Sequence, residues 1–306
     1  MQLFYFTSLL VVGANAHGVL LQVNGANGVT APGACVLDGT PRNCIVNACG
    51  AQADTAIIRD EEMRTHKYGA LGWTQGGGNC NPDAVINEYM GLGKAPRYTG
   101  GGKSTGKADD VPSEETKQRR EHKSHAGGLF QRQSILSLPI IGFLGLGGKR
   151  TSYPVETIVG DYAGKGKTDG LPTTNDNGEL DLVYRQVNED GPGPMAVTVD
   201  TTSAGTDYKA FTSVKVIQNV PGDGFVGLSL GTNTNYNMKI KLNPDMLCKG
   251  EVAGLNNVCF VRIRNNAPAG PFGGAGFFTQ SDGSRKRAVA YRLKKRIDAA
   301  IEPEHH

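Results

Sequence analysis

The sequence predicts an all-β fold, an immunoglobulin-like or fibronectin-like β-sandwich with long loops, on three observations. Glycine supplies 43 of 306 residues, about twice the usual ~7%. Short stretches that alternate polar and apolar residues, or are rich in β-branched ones, recur along the chain with turn residues between them. No strand–helix–strand alternation and no internal repeat accompanies them, so a parallel sheet with crossover helices has no support.

Taken in order, residues 1–16 read as a signal peptide, with an apolar stretch from Leu3 to Val12 ending in Ala14-Asn15-Ala16, the small-x-small pattern of a cleavage site. Residues 17–282 read as one sandwich domain. Strands are expected at Gly18–Val23, Leu182–Val187, Met195–Val199, Val214–Val220, Phe225–Leu230, Met238–Leu242 and Val258–Ile263. Clusters such as Asn188-Glu189-Asp190-Gly191-Pro192-Gly193 and Pro221-Gly222-Asp223-Gly224 supply the turns. A short helix is expected at Pro82–Met90, capped by Asn81 with Pro82 in its first position.

One segment departs from this pattern. Eleven of the 23 residues from Lys103 to His125 are charged, with mixed signs and no period, which predicts a disordered insertion at about 103–150. It ends in an apolar stretch, Ile135–Leu144, interrupted by Pro139 and Gly142. Residues 283–306 read as a basic tail. Within it Arg285–Ile297 is a candidate amphipathic helix, with Val289, Leu293 and Ile297 recurring every four residues; it could rest on an acidic surface or a polyanion. The dibasic pairs Arg119-Arg120, Lys149-Arg150 and Lys286-Arg287 lie in flexible-looking sequence open to a processing protease.

Composition narrows the function classes. A net charge of +3 gives no argument for nucleic acid. No apolar run after residue 16 reaches the roughly 18 residues of a membrane helix. The chain is therefore expected to be secreted, extracellular and monomeric. Six cysteines, an even number, fit an oxidising compartment. Cys248 and Cys259 flank a turn at Gly254-Leu255-Asn256-Asn257 and are expected to bridge neighbouring strands. Cys35, Cys44, Cys49 and Cys80 allow three pairings, among which the sequence does not choose.

The chemistry concentrates at His17. Cleavage after Ala16 makes it the first residue of the mature chain. A histidine with a free α-amine offers two nitrogen donors on one residue, and nitrogen donors suit copper. A second imidazole would complete the three-nitrogen histidine brace of lytic polysaccharide monooxygenases. Of the other histidines, His122 and His125 fall in the charged insertion, and His305 and His306 end the tail. His66, in a loop near the cysteine cluster, is the preferred second ligand, with Asp60 or His125 as substitutes. An axial aromatic residue is sought in Gly270–Gln280, where Phe277 and Phe278 would face opposite sides of a strand; Phe278 is the candidate. Gly227-Leu228-Ser229-Leu230-Gly231 matches a nucleophile elbow, but no helix pattern follows it and the only later histidines end the tail, so a serine hydrolase is rejected. Gly145-Leu146-Gly147-Gly148 lacks the context of a phosphate-binding loop.

Several motifs carry a family resemblance. His17-Gly18-Val19, Asn24–Thr30, Asp38–Cys44, Ile57–Asp60, Ala70-Leu71-Gly72, Gln186–Pro194, Arg264–Ala267 and Gly270–Gly274 together resemble the Egh16-like virulence factor family. The resemblance implies a filamentous fungus that infects plants or insects, secretion, and a role in host penetration, often at appressoria. Some members have been proposed to be lytic polysaccharide monooxygenases acting on chitin. The expected function is thus a copper-dependent oxidative enzyme acting on chitin or another cell-wall polysaccharide. The alternative is a non-catalytic effector that binds such a polysaccharide or a surface partner. If Phe278 aligns with the axial tyrosine of cellulose-active monooxygenases, Gly276 stands where they carry a glutamine two positions earlier.

Overall fold

Two antiparallel sheets face each other across an apolar interior in the computed structural model, which describes residues 17–44, 49–100, 155–188, 193–222, 233–267 and 270–301. One sheet has five strands in the order β2 (Thr30–Pro32), β1 (Gly18–Asn24), β6 (Glu179–Gln186), β10 (Thr234–Lys241) and β9 (Lys215–Gln218). The other runs β5 (Gly78–Asn79), β4 (Trp73–Thr74), β3 (Ala56–Ile57), β13 (Phe272–Phe278), β12 (Leu255–Arg264), β7 (Ala196–Asp200) and β8 (Phe211–Ser213), with β11 (Gly250–Val252) paired to β12. The all-β sandwich is present, and six of the seven expected strands fall on β1, β6, β7, β9, β10 and β12. The seventh, Phe225–Leu230, lies outside the described residues, as do the signal segment, the 103–150 insertion and the Gly227–Gly231 motif. The next described element after that motif is strand β10, whereas an elbow needs a helix.

Side-chain alternation builds the interior. Leu180, Leu182 and Tyr184 of β6 meet Met238 and Ile240 of β10 and, from the facing sheet, Val197, Val199, Val261, Ile263 and Phe278. Strand β1 is buried on both faces. Leu20 and Val23 enter this interior, whereas Val19 and Leu21 join a second cluster with Val85, Ile86, Tyr89, Phe260 and Phe277. Leu20 and Val23 are three residues apart, yet share a face because a bulge between Leu20 and Gln22 inserts one extra residue. Close approach of β1 to β13 needs glycine: a Cβ on Gly274 would lie 2.7 Å from the Leu20 nitrogen, and one on Gly276 2.5 Å from Val23 Cγ2.

Five α-helices, α1 (Asp60–Arg64), α2 (Pro82–Tyr89), α3 (Ile158–Asp161), α4 (Gly166–Asp169) and α5 (Asp282–Ile301), and a 3-10 turn at Tyr208–Ala210 complete the described residues. Helix α2 forms as its sequence predicts. Pro82 stands in the first turn, and Asn81 Oδ1 accepts from the Asp83 amide at 2.9 Å. Val85, Ile86 and Tyr89 bury its inner face. The basic tail forms a 20-residue helix, α5, which contains the expected amphipathic helix Arg285–Ile297. Lys286-Arg287 therefore lies within regular helix and not in flexible sequence.

The cysteines pair as Cys35–Cys80, Cys44–Cys49 and Cys248–Cys259. The last pair joins the approach to β11 with β12, as expected; the first two settle the pairing that the sequence leaves open. Arg42, two residues before Cys44, is almost fully enclosed. It forms a buried ion pair with Asp54 and donates from Nε to Glu156 at 2.9 Å. Burial by itself would lower the pKa of this guanidinium, but Asp54 and Glu156 outweigh it and hold it above its ordinary value.

Candidate functional site

The antiparallel pairing of β1 with β6 decides what surrounds residue 17. Gly18 stands opposite Gln186, so the turn after β6 passes directly over His17. The Val187 amide donates to the His17 carbonyl at 2.9 Å. One residue on, Asn188 turns its side-chain amide onto the histidine. The His17 main-chain nitrogen donates to Asn188 Oδ1 at 2.9 Å, and Asn188 Nδ2 lies 3.4 Å from His17 Nδ1, placed to donate to a neutral ring. The two nitrogens that could chelate one metal ion thus face the same amide. Gln186 fixes that turn, its Nε2 donating to the Asn188 carbonyl at 2.7 Å.

Glycine at position 18 is a steric requirement. A Cβ there would lie 1.9 Å from the Tyr184 hydroxyl and 2.7 Å from the Arg185 carbonyl. Tyr184 therefore reaches the start of β1, and its burial pushes the phenol pKa well up, keeping it neutral. The far side of the imidazole is covered by Phe272, with ring centroids 4.2 Å apart and planes tilted by 31°. Phe272 is held in turn by Asn265. Asn265 Oδ1 accepts from the Phe272 amide at 2.9 Å, and the Asn265 amide donates to the Phe272 carbonyl at 2.9 Å. His17 is left only 1% exposed.

From Phe272 an aromatic ridge runs toward the surface. Phe272, Ile57 and Ala267 form a small buried cluster against which half-buried Trp73 packs. Tyr68 stacks on Trp73 with centroids 4.7 Å apart and planes 23° from parallel. Glu62 fixes the indole, accepting from Trp73 Nε1 at 3.0 Å, and also pairs with Lys67 at 3.0 Å. The ridge places an aromatic face with a polar rim at one end and His17 at the other.

The other residues singled out by sequence are placed differently. His66 is exposed just beyond α1, in the left-handed region at φ 56°, with its amide donating to the Met63 carbonyl. Asp60 is 71% exposed and pairs with Arg264 through both carboxylate oxygens, at 2.7 and 3.1 Å. Phe278 is buried between the sheets, and Phe277 packs on the opposite side of β13 with Phe260 and Tyr89. The ring beside His17 is Phe272, not Phe278. His125 and the remaining histidines lie outside the described residues. Among the described residues, no group of three or more His, Cys, Asp and Glu is arranged to hold a metal.

Asn188 and Phe272 are the neighbours of His17 that sequence reasoning misses. Both lie inside stretches recognised as motifs, but each is brought to His17 by long-range pairing, Asn188 from 171 residues away.

Comparison with known proteins agrees with the motifs. The family described as Egh16-like virulence factor matches residues 15–273. The chain is 42% identical over 298 residues to the appressoria-specific virulence factor GAS2 of Pyricularia oryzae, covering 95% of this chain and 94% of that protein. It is 32% identical over 131 residues to the appressoria-specific virulence factor GAS1 of the same fungus, covering 41% of this chain and 50% of that protein. No solved structure matches.

Proposed function

Because this chain belongs to the Egh16-like virulence factor family, we propose that it is a secreted fungal virulence protein whose mature form begins at His17 and acts oxidatively, with one copper ion, on chitin or another cell-wall polysaccharide. The observation that carries the reading is the convergence of the His17 main-chain nitrogen and Nδ1 on Asn188. In the mature chain that main-chain nitrogen is an amine, so the pair is already turned to one side of the residue as a chelate requires. These residues fit the chelating half of a copper site, and copper held there would supply one-electron chemistry with oxygen or peroxide.

Each neighbour then has a role. Asn188 sets the direction of both nitrogens, Phe272 keeps water from one face of the ring, and neutral Tyr184 closes the floor. Tyr68 and Trp73 present the face on which a sugar ring would stack, with Glu62 at its rim to accept hydroxyl hydrogen bonds. His66 lies two residues before Tyr68, at the outer end of the ridge that starts at His17, so the chelate draws no donor from His66 in this arrangement.

A second reading has its own support. Asn188 already engages both His17 nitrogens, and the described residues hold no three-carboxylate, cysteine or imidazole group for a metal. On that reading the protein is a non-catalytic effector and the aromatic ridge binds polysaccharide.

Incubation of the mature protein with chitin and a reductant separates the two. The copper reading predicts oxidised oligosaccharides by mass spectrometry and their loss in His17→Ala, which removes the chelating imidazole. Chitin binding that persists without oxidised product, and that falls in Trp73→Ala, would instead establish the effector reading.

A further inference from the structure

Helix α5 presents an apolar stripe to solvent where a helix on a globular body would bury one. Its docking contacts come from Ser284 and Ala288, the only buried residues it has. Polar ties reinforce them: Arg285 donates to the Cys248 carbonyl, Arg287 to the Asp176 carbonyl and Arg292 to the Asp245 carbonyl. Every residue from Leu293 to Ile301 is exposed, so the last turns leave the body. Val289, Leu293, Ile297 and Ile301 are 50%, 58%, 49% and 71% exposed.

The arrangement of these side chains is directional. At about 100° per residue, Val289, Leu293 and Ile297 fall on one stripe roughly opposite Ser284 and Ala288. The apolar face therefore points straight away from the sandwich. Lys294 borders it on one side and Arg296 on the other, while Lys286 continues its line toward the first turn, where its stem can lie along apolar surface with the ammonium outside. The helix carries seven Lys and Arg against Asp282 and Asp298, a net +5.

We propose that α5 is a membrane-surface anchor that lays its outward stripe into the interface of an anionic lipid bilayer. An amphipathic helix of this kind binds by apolar insertion together with attraction between basic side chains and acidic headgroups. The flanking cations select this occupant. A second copy of the chain would set one +5 helix against another. The chain's own apolar segment, Ile135–Leu144, contains no acidic residue to meet Lys294 and Arg296. A bilayer offers both an apolar layer and a continuous negative charge above it. The stripe is no membrane span: among the described residues, no helix is long and apolar enough to cross one. The proposal is independent of copper at His17.

Co-sedimentation of the mature protein with vesicles tests it. Vesicles of phosphatidylcholine with phosphatidylserine should pull the protein down, and vesicles of phosphatidylcholine alone should do so at least about tenfold less well. The double variant Leu293→Asp/Ile297→Asp should lose more than about tenfold in partitioning, because it removes the inserted side chains. Lys294→Glu/Arg296→Glu should weaken binding and reduce its salt dependence. Both variants should keep the wild-type unfolding midpoint and remain monomeric in sedimentation. Failure to bind the acidic vesicles, or binding unchanged by Leu293→Asp/Ile297→Asp, overturns the proposal. So does a fall in unfolding midpoint in that variant, which would mean that the stripe is covered by the chain itself, or dissociation of a dimer, which would mean that a second copy covers it.

Discussion

Arg42→Ala is expected to lower the unfolding free energy by about 3–5 kcal/mol, the usual cost of removing one partner from a buried ion pair. Arg42 and Asp54 are 3% and 0% exposed, so the substitution leaves the Asp54 carboxylate enclosed with no cation. Little else in the pocket compensates: the Leu37 amide reaches Asp54 Oδ2 only at 3.4 Å, and Glu156 adds a second negative charge that also loses Arg42. A double replacement, Arg42→Met with Asp54→Leu, should cost markedly less than Arg42→Ala, because no charge is then stranded. Guanidinium denaturation at pH 7 reads both values. A single variant within about 1 kcal/mol of wild type would mean that water reaches this pocket, because only exposed pairs are worth so little.

Phe272→Ala is expected to cost a similar amount, about 3–5 kcal/mol, through the cavity left by a fully buried ring. It should also act at a distance that stability alone does not explain. Its ring covers one face of His17 at 4.2 Å and joins Trp73 to the same cluster. Copper affinity should therefore fall in Phe272→Ala and hold in Phe278→Leu, whose ring lies in the inter-sheet core. Equal copper affinity in both variants would separate Phe272 from the site.

The fold was legible where local pattern decides it. The apolar, β-branched-rich stretches Leu182–Val187 and Val258–Ile263, and the Asn81-Pro82 start of α2, specify their elements within a few positions. Residue 17 could also be singled out as a candidate, through Ala14-Asn15-Ala16 and the histidine after it. The surroundings of His17 were not, because no local rule states that β1 pairs with β6 or that β13 begins at Phe272. The Phe272–Phe278 stretch shows the limit well: it contains three phenylalanines, and only strand register tells which one reaches His17. The stripe on α5 could be read from its four-residue spacing, but its outward direction depends on Ala288 docking, which is a tertiary fact.

The central claim is that the His17 amine and Nδ1 form one chelate, and a Cu(II) titration tests it most directly. Two proteins are compared, one beginning at His17 and one with a single glycine placed before it, which converts the amine to an amide. The account predicts one tight Cu(II) per molecule in the first, with a nitrogen-rich electron paramagnetic resonance spectrum, and affinity weaker by at least about a hundredfold in the second, since a peptide nitrogen does not offer the amine's lone pair. Equal affinity and identical spectra in the two proteins would contradict it.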